Sequence, residues 1–370
     1  MHVDEIWKST KGEGIKVAVI DSGVNDSVPS LRGQILSGRD FTGVKGDEKD
    51  DYTGHGTTMA ELIAGTGRGG GLQGLAPEAK IIPYRVADTE MQNNNKVNAF
   101  DIRQAIRAAA DSDAQIISMS WGSEYYSHDV RDAIEYAQAK GKLFFAAVGN
   151  SGDKGNAESY PGAYPEAVAV GATTSEGRVA KFSQHGDKVD ISAPGADLLG
   201  WCDETFTRYC KIQGTSGATA LASATAALIW SKHPEWTGNQ VLRVMFESAG
   251  RGENWEPGTV SRQVGHGVVR PNAHITRGLG KPGDPDVSPD TGKRVGGKPG
   301  SASKSPTPGT SKQAPDAAPS GDNPALAGSA SGKADDSGGT NSAYLIGGAI
   351  AATAVLAGAG ALVARRRRQA

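Results

Sequence analysis

Ile15-Lys16-Val17-Ala18-Val19-Ile20-Asp21-Ser22-Gly23 reads as a strand that ends in a carboxylate. The run from Ile15 to Ile20 is apolar and β-branched apart from Lys16, the composition of a strand buried on both faces in a parallel sheet. Asp21 then falls at the strand's carboxyl end, where open α/β sheets build their sites. The plainer reading of the same residues is a turn aspartate followed by Ser22-Gly23. Outward from this stretch the pattern repeats, with strands expected at 80–86, 114–120, 142–148 and 167–171 and helices near 57–65, 98–110 and 128–140. The last of these helices meets Gly141, a common stop. Strand–helix alternation of this kind predicts an α/β domain, a mostly parallel sheet between layers of helix.

Three more motifs carry chemical groups at element ends. Gly54-His55-Gly56-Thr57 places an imidazole on the first turn of a helix, between glycines that admit close backbone approach. Gly214-Thr215-Ser216-Gly217-Ala218 leads into a small-residue run to Trp230 that reads as a buried helix. A serine there is a cap, or a hydroxyl at the positive end of a helix dipole. Phe145-Ala146-Ala147-Val148-Gly149-Asn150 is a buried strand ending in an amide, either a turn residue or a donor to a developing oxyanion. Of the seven histidines in the chain, His55 alone has such a setting. A serine hydroxyl needs a base to take its proton, and an imidazole serves best when a carboxylate fixes its tautomer.

The chain order Asp21, His55, Ser216 is that of subtilisin, and residues 1–280 resemble the subtilases, a family of serine proteases. The resemblance implies a subtilisin-like fold, Asp21, His55 and Ser216 as the catalytic triad, and Asn150 as oxyanion donor. It further implies a substrate-pairing strand at Ile116–Gly122, with Ser120, Trp121 and Gly122 as one wall of the specificity pocket and Ala147, Val148 and Gly149 as the other. Two positions depart from the family pattern. Where it has a bulky residue after the serine and a proline four residues after it, this chain has Gly217 and Ala220. A looser nucleophile follows from that, and with it a rival expectation of a catalytically weak scaffold subunit.

Composition bounds the rest. The formal charge of -2 gives no basis for nucleic-acid binding. The acidic group Asp47, Glu48, Asp50 and Asp51 lacks a regular cation-loop spacing and reads as a solvated loop, so neither metal nor other cofactor is expected. Cys202 and Cys210, the only cysteines, flank a polar insertion. A local disulfide is expected there, with two free thiols the alternative. Residues 281–342 are rich in Pro, Gly and Ser and read as a disordered linker. Residues 343–364 are uncharged over about the length that crosses a bilayer as a helix. Arg365 to Arg368 follow, which puts the C-terminus, residues 365–370, in the cytoplasm and the protease outside, a single-pass cell-membrane protein. The cysteine loop, linker and anchor together resemble the mycosins, the membrane-anchored subtilases linked to type VII secretion in actinobacteria. The expected partners are a polypeptide substrate, the membrane and type VII secretion machinery. The chain opens Met1-His2-Val3-Asp4 without a signal-peptide pattern, which predicts that the true start lies upstream. A cytosolic peptidase is the competing expectation.

Overall fold

The computed structural model describes residues 2–87, 101–252, 255–256 and 258–295. The expected transmembrane run 343–364, the Arg365–Arg368 cluster and the linker beyond residue 295 lie outside the described residues. Among the described residues, no helix is long and apolar enough to cross a membrane.

The central sheet contains β1 (Lys16–Asp21), β2 (Arg39–Asp40), β3 (Lys80–Arg85), β4 (Ile116–Met119), β5 (Leu143–Ala147), β6 (Val168–Thr173) and β7 (Ile191–Pro194). Their order is β2-β3-β1-β4-β5-β6-β7, and every pairing is parallel. The helices are α1 (Val3–Ile6), α2 (His55–Ala64), α3 (Asp101–Asp111), α4 (His128–Ala139), α5 (Thr215–Lys232), α6 (Gly238–Ser248) and α7 (Pro271–Ile275). A separate antiparallel hairpin, β8 (Leu198–Trp201) and β9 (Tyr209–Ile212), follows β7.

Alternation along each strand divides the core in two. Val17 and Val19 pack with Met59, Ile63 and the alanines of α5 on one face, whereas Ala18 and Ile20 pack with Ile102, Ile106 and Ile134 on the other. Both faces of β1 are therefore covered, as its unbroken apolar run requires. Helix α5 is buried almost all round, from Thr215 to Trp230. Its alanines leave only methyl groups between helix and sheet, so the backbone approaches closely. Helix α4 starts where Ser127 caps Val130 N and stops before Gly141, whose φ of 78° is the left-handed residue of a helix end.

The packed polypeptide runs past the expected boundary at residue 280. Pro285 O accepts from Thr237 Oγ1 and Asn239 Nδ2, both at 2.9 Å, and Val287 O accepts from Arg243 Nη2 at 3.3 Å. Residues 281–295 thus lie as a strap along α6. Their Pro/Gly content hid this, because they are held by main-chain carbonyls and not by apolar side chains.

β1 lies between β3, which precedes β4 in the chain, and β4 itself, so successive connections leave it in opposite directions. This is the switch point at which open α/β sheets form crevices beyond the strands' carboxyl ends.

Candidate active site

Asp21 closes β1 at this switch point and is buried. Its Oδ1 lies 2.7 Å from His55 Nδ1 and accepts from Ser22 N at 2.8 Å. His55 is the first residue of α2, reached through Gly54 in a left-handed conformation (φ 78°). Gly56 is required on the far side, because a Cβ there would sit 2.1 Å from Gly23 O. The two glycines the motif displays are therefore steric conditions for bringing the imidazole against Asp21.

Ser216 lies in the first turn of α5. Its Oγ donates to Ser120 O at 3.2 Å, and Ser120 Oγ donates to Ser216 O at 3.3 Å. The residue that follows β4 and the first turn of α5 are thereby joined directly. Asn150 Oδ1 accepts from Thr215 N at 2.8 Å and from Thr215 Oγ1 at 3.0 Å. With its carbonyl held on that side, the amide's NH2 group is turned away from Thr215 and stays available as a donor. His55, Asn150 and Ser216 line one cavity of about 350 Å³ with Met59, Leu198, Trp201 and Ile212.

The expected pocket walls are distributed differently. Ser120 touches Ser216, but Val148 lines a second cavity of about 270 Å³ with Ser159, Gly162 and Gln184. A Cβ on Gly122 would fall 2.4 Å from Ser159 Oγ, so Gly122 abuts this second cavity's lining. Trp121 packs against the α3–α4 side of the core. Ala147 is buried in β5, and Gly149 N donates to Thr215 Oγ1 at 3.3 Å.

Several residues of the site carry no motif. Leu198, Trp201 and Ile212 come from the β8–β9 hairpin, which the sequence shows only as a polar insertion. Trp201 N donates to Thr58 Oγ1 at 2.9 Å, and the Trp201 ring stacks on Tyr209 at 4.0 Å. Tyr209 OH donates to Glu61 at 2.8 Å, and Ser30 Oγ bonds the same carboxylate. Burial pushes the Glu61 carboxyl up, and burial with Glu61 alongside pushes the Tyr209 phenol up. The hairpin is thus tied to the helix that carries His55. Gly217 is explained here as well: a Cβ on it would meet Leu198 Cδ1 at 2.5 Å, so the hairpin leucine occupies the space of the missing side chain.

Cys202 and Cys210 are free thiols in the structure. They sit diagonally across the hairpin, and the contact with Cys210 raises the Cys202 pKa above that of an ordinary thiol. The acidic loop is also unlike its expected form. Asp51 is buried and accepts hydrogen bonds from Ser22, Gly54 and Thr57, so it is no solvated side chain. Its proximity in sequence to His55 was the one signal of this.

Residues 12–267 match Peptidase_S8, the subtilase family. The chain belongs to the subtilase family. Among curated relatives, this subtilase is 37% identical over 238 residues to the major intracellular serine protease of Bacillus subtilis, covering 62% of this chain and 73% of that protein. It is 32% identical over 270 residues to thermitase of Thermoactinomyces vulgaris, covering 70% of this chain and 91% of thermitase. Among solved structures, MycP1 with its N-terminal propeptide removed matches with a TM-score of 0.61 and 26% identity, over 74% of this chain and 94% of that one. The MycP3 protease from the type VII (ESX-3) secretion system matches with a TM-score of 0.60 and 28% identity, over 74% and 85%. This subtilase therefore has the subtilisin-like α/β fold, and its structural likeness extends to mycosins of type VII secretion.

Proposed function

We propose that this subtilase is a membrane-anchored, extracytoplasmic serine endopeptidase associated with type VII protein secretion, with Asp21, His55 and Ser216 as triad. The observation that carries the chemistry is the 2.7 Å contact of His55 Nδ1 with Asp21 Oδ1, beside a cavity shared with Ser216. With Nδ1–H donated to the carboxylate, Nε2 is the basic nitrogen, ready to take the Ser216 proton. The hydroxyl must first leave Ser120 O, a tightening that accompanies substrate arrival in enzymes of this kind. Attack on a peptide carbonyl gives a tetrahedral oxyanion, which Asn150 Nδ2 and Ser216 N would hold. Protonation of the leaving amine by His55 releases the first product, and water hydrolyses the acyl-enzyme. The secretion link rests on likeness to MycP1 and MycP3, and the anchor on the Arg-flanked apolar run 343–364.

Labelling with a fluorophosphonate probe, beside a Ser216→Ala control, tests the reading. Labelling that depends on Ser216 is the expected result. Folded protein that takes no label would favour the second reading, a weak scaffold subunit, for which Gly217 and Ala220 are the motive.

A further inference from the structure

Resting on the triad reading, the structure assigns Asp51 as a positioning residue that holds His55 in place and governs which donors reach Asp21. Asp51 is buried between β1 and the start of α2. Its Oδ1 accepts from Gly54 N at 2.9 Å, Thr53 N at 3.1 Å and Ser22 Oγ at 2.8 Å. Its Oδ2 accepts from Thr57 N at 2.8 Å and Thr57 Oγ1 at 2.6 Å. Gly54, the N-cap of α2, has no side chain to satisfy the helix's first N–H groups. Asp51 supplies that cap from outside, with a negative charge at the positive end of the helix. His55 is the next residue, so the same carboxylate sets where the imidazole starts.

The second role follows from counting protons at Ser22. Its hydroxyl accepts from Gly56 N at 3.0 Å and from Thr53 Oγ1 at 2.9 Å, and Thr53 Oγ1 in turn accepts from His55 N at 3.1 Å. One hydroxyl proton is left to donate, and two carboxylates compete for it. Asp51 Oδ1 is at 2.8 Å and Asp21 Oδ1 at 3.2 Å. Asp51 takes it, and Asp21 Oδ1 is left to Ser22 N and His55 Nδ1. Without the Asp51 charge the Ser22 proton turns to Asp21. That extra donor dissipates the negative charge which stabilises an imidazolium, because a hydrogen bond to a carboxylate lowers its basicity. Asp51 thus acts on the reaction through Ser22 and through the α2 terminus, touching neither substrate nor nucleophile.

The test measures the rate of fluorophosphonate labelling from about pH 5 to about pH 9, the span in which an imidazole base titrates. In Asp51→Asn the maximal rate should fall roughly ten- to hundredfold, the range that a small misplacement of a catalytic group costs. The acidic limb of its profile should move to lower pH. In Ser22→Ala, which keeps the Asp51 cap and removes the contested proton, the limb should stay where it is in wild type, because Asp21 does not receive that proton there. Adding Asp51→Asn to Ser22→Ala should not shift it either, since no Ser22 proton is left to turn to Asp21. A merely structural Asp51 would lower the melting temperature and the rate with no movement of the limb, and that result overturns the proposal. If Asp51→Asn does not fold, a limb that Ser22→Ala moves to higher pH overturns it alone, because Asp21 would then be receiving the Ser22 proton in wild type. Wild type without Ser216-dependent labelling would remove the triad reading itself.

Discussion

Asn150 makes the most specific prediction that a single side chain carries. Its carbonyl is occupied by Thr215 N and Oγ1, so its amide orientation is settled before any substrate arrives. Asn150→Ala should fold as the wild type does and be labelled far more slowly. The expected loss is about 2.7–4 kcal/mol of transition-state stabilisation, the cost of removing the oxyanion asparagine of subtilisin, another member of this family. Circular dichroism with labelling kinetics checks it, and an unchanged rate would take Asn150 out of the mechanism. Residues of this sort were legible in the sequence because each sits at an element end, flanked by glycines or small residues that have no other use there. Asp51 and Ser22 were not. A buried carboxylate and a solvated one are the same letter, and only the αL turn at Gly54 shows that the start of α2 needs an external cap. The neighbour of Gly217 was not legible either: a Cβ there would meet Leu198 Cδ1, from a residue upstream in a hairpin with no signature.

At the scale of elements, the strands and helices with a strict period were legible close to their ends: β1, β3 to β6 and α2 to α5 all lie within a few residues of where alternation and apolar runs put them. The β8–β9 hairpin was missed because its residues alternate only partly and Leu199 faces solvent. Its importance comes from contacts distant in sequence, Trp201 N to Thr58 and Tyr209 OH to Glu61. The proposed disulfide is a property of this element. Gly200 pairs with Cys210 and Cys202 N donates to Arg208 O at 3.2 Å, which puts the two thiols on one face of the hairpin in mutual contact. Mild oxidation should therefore close the Cys202–Cys210 bond without moving the strands. For so short a loop the stabilisation is about 2–3 kcal/mol in the chain-entropy model. Intact mass under non-reducing conditions and melting with and without reductant report both quantities. Oxidised protein that retains two alkylatable thiols would exclude the bridge.

Across the whole molecule, the strap 281–295 joins the end of the domain to the base of β6 and β7 through carboxyl groups. Asp290 lies against Asp190, whose Oδ2 accepts from Ala169 N at 2.7 Å; Glu166, Lys188 and Lys293 are the charged neighbours. Burial, with Glu166 nearby, pushes the Asp290 carboxyl up to about 6, and burial with Asp290 alongside raises Asp190 as well. A carboxyl whose folded pKa exceeds its unfolded value favours the native state below the unfolded value. That contribution is lost as pH rises through about 6, with a magnitude on the order of 3 kcal/mol for Asp290. His266 works against it. Its ring stacks on Phe246 at 4.0 Å, and burial with Arg251 nearby pushes its pKa down to about 4. Stability from a depressed histidine is full above its unfolded value and is lost as pH falls toward about 4. The two linkages cover one window with opposite sign, so each partly offsets the other. Asp290→Asn removes one of them: the amide cannot ionise. The variant should melt higher than wild type near neutral pH and equal it near about pH 4, where Asp290 is already protonated. Scanning calorimetry at the two pH values decides it. A melting temperature that Asp290→Asn lowers at both would mean that the strap is held by an ionised Asp290, and the account of Asp290 as a carboxyl that burial keeps protonated would fail.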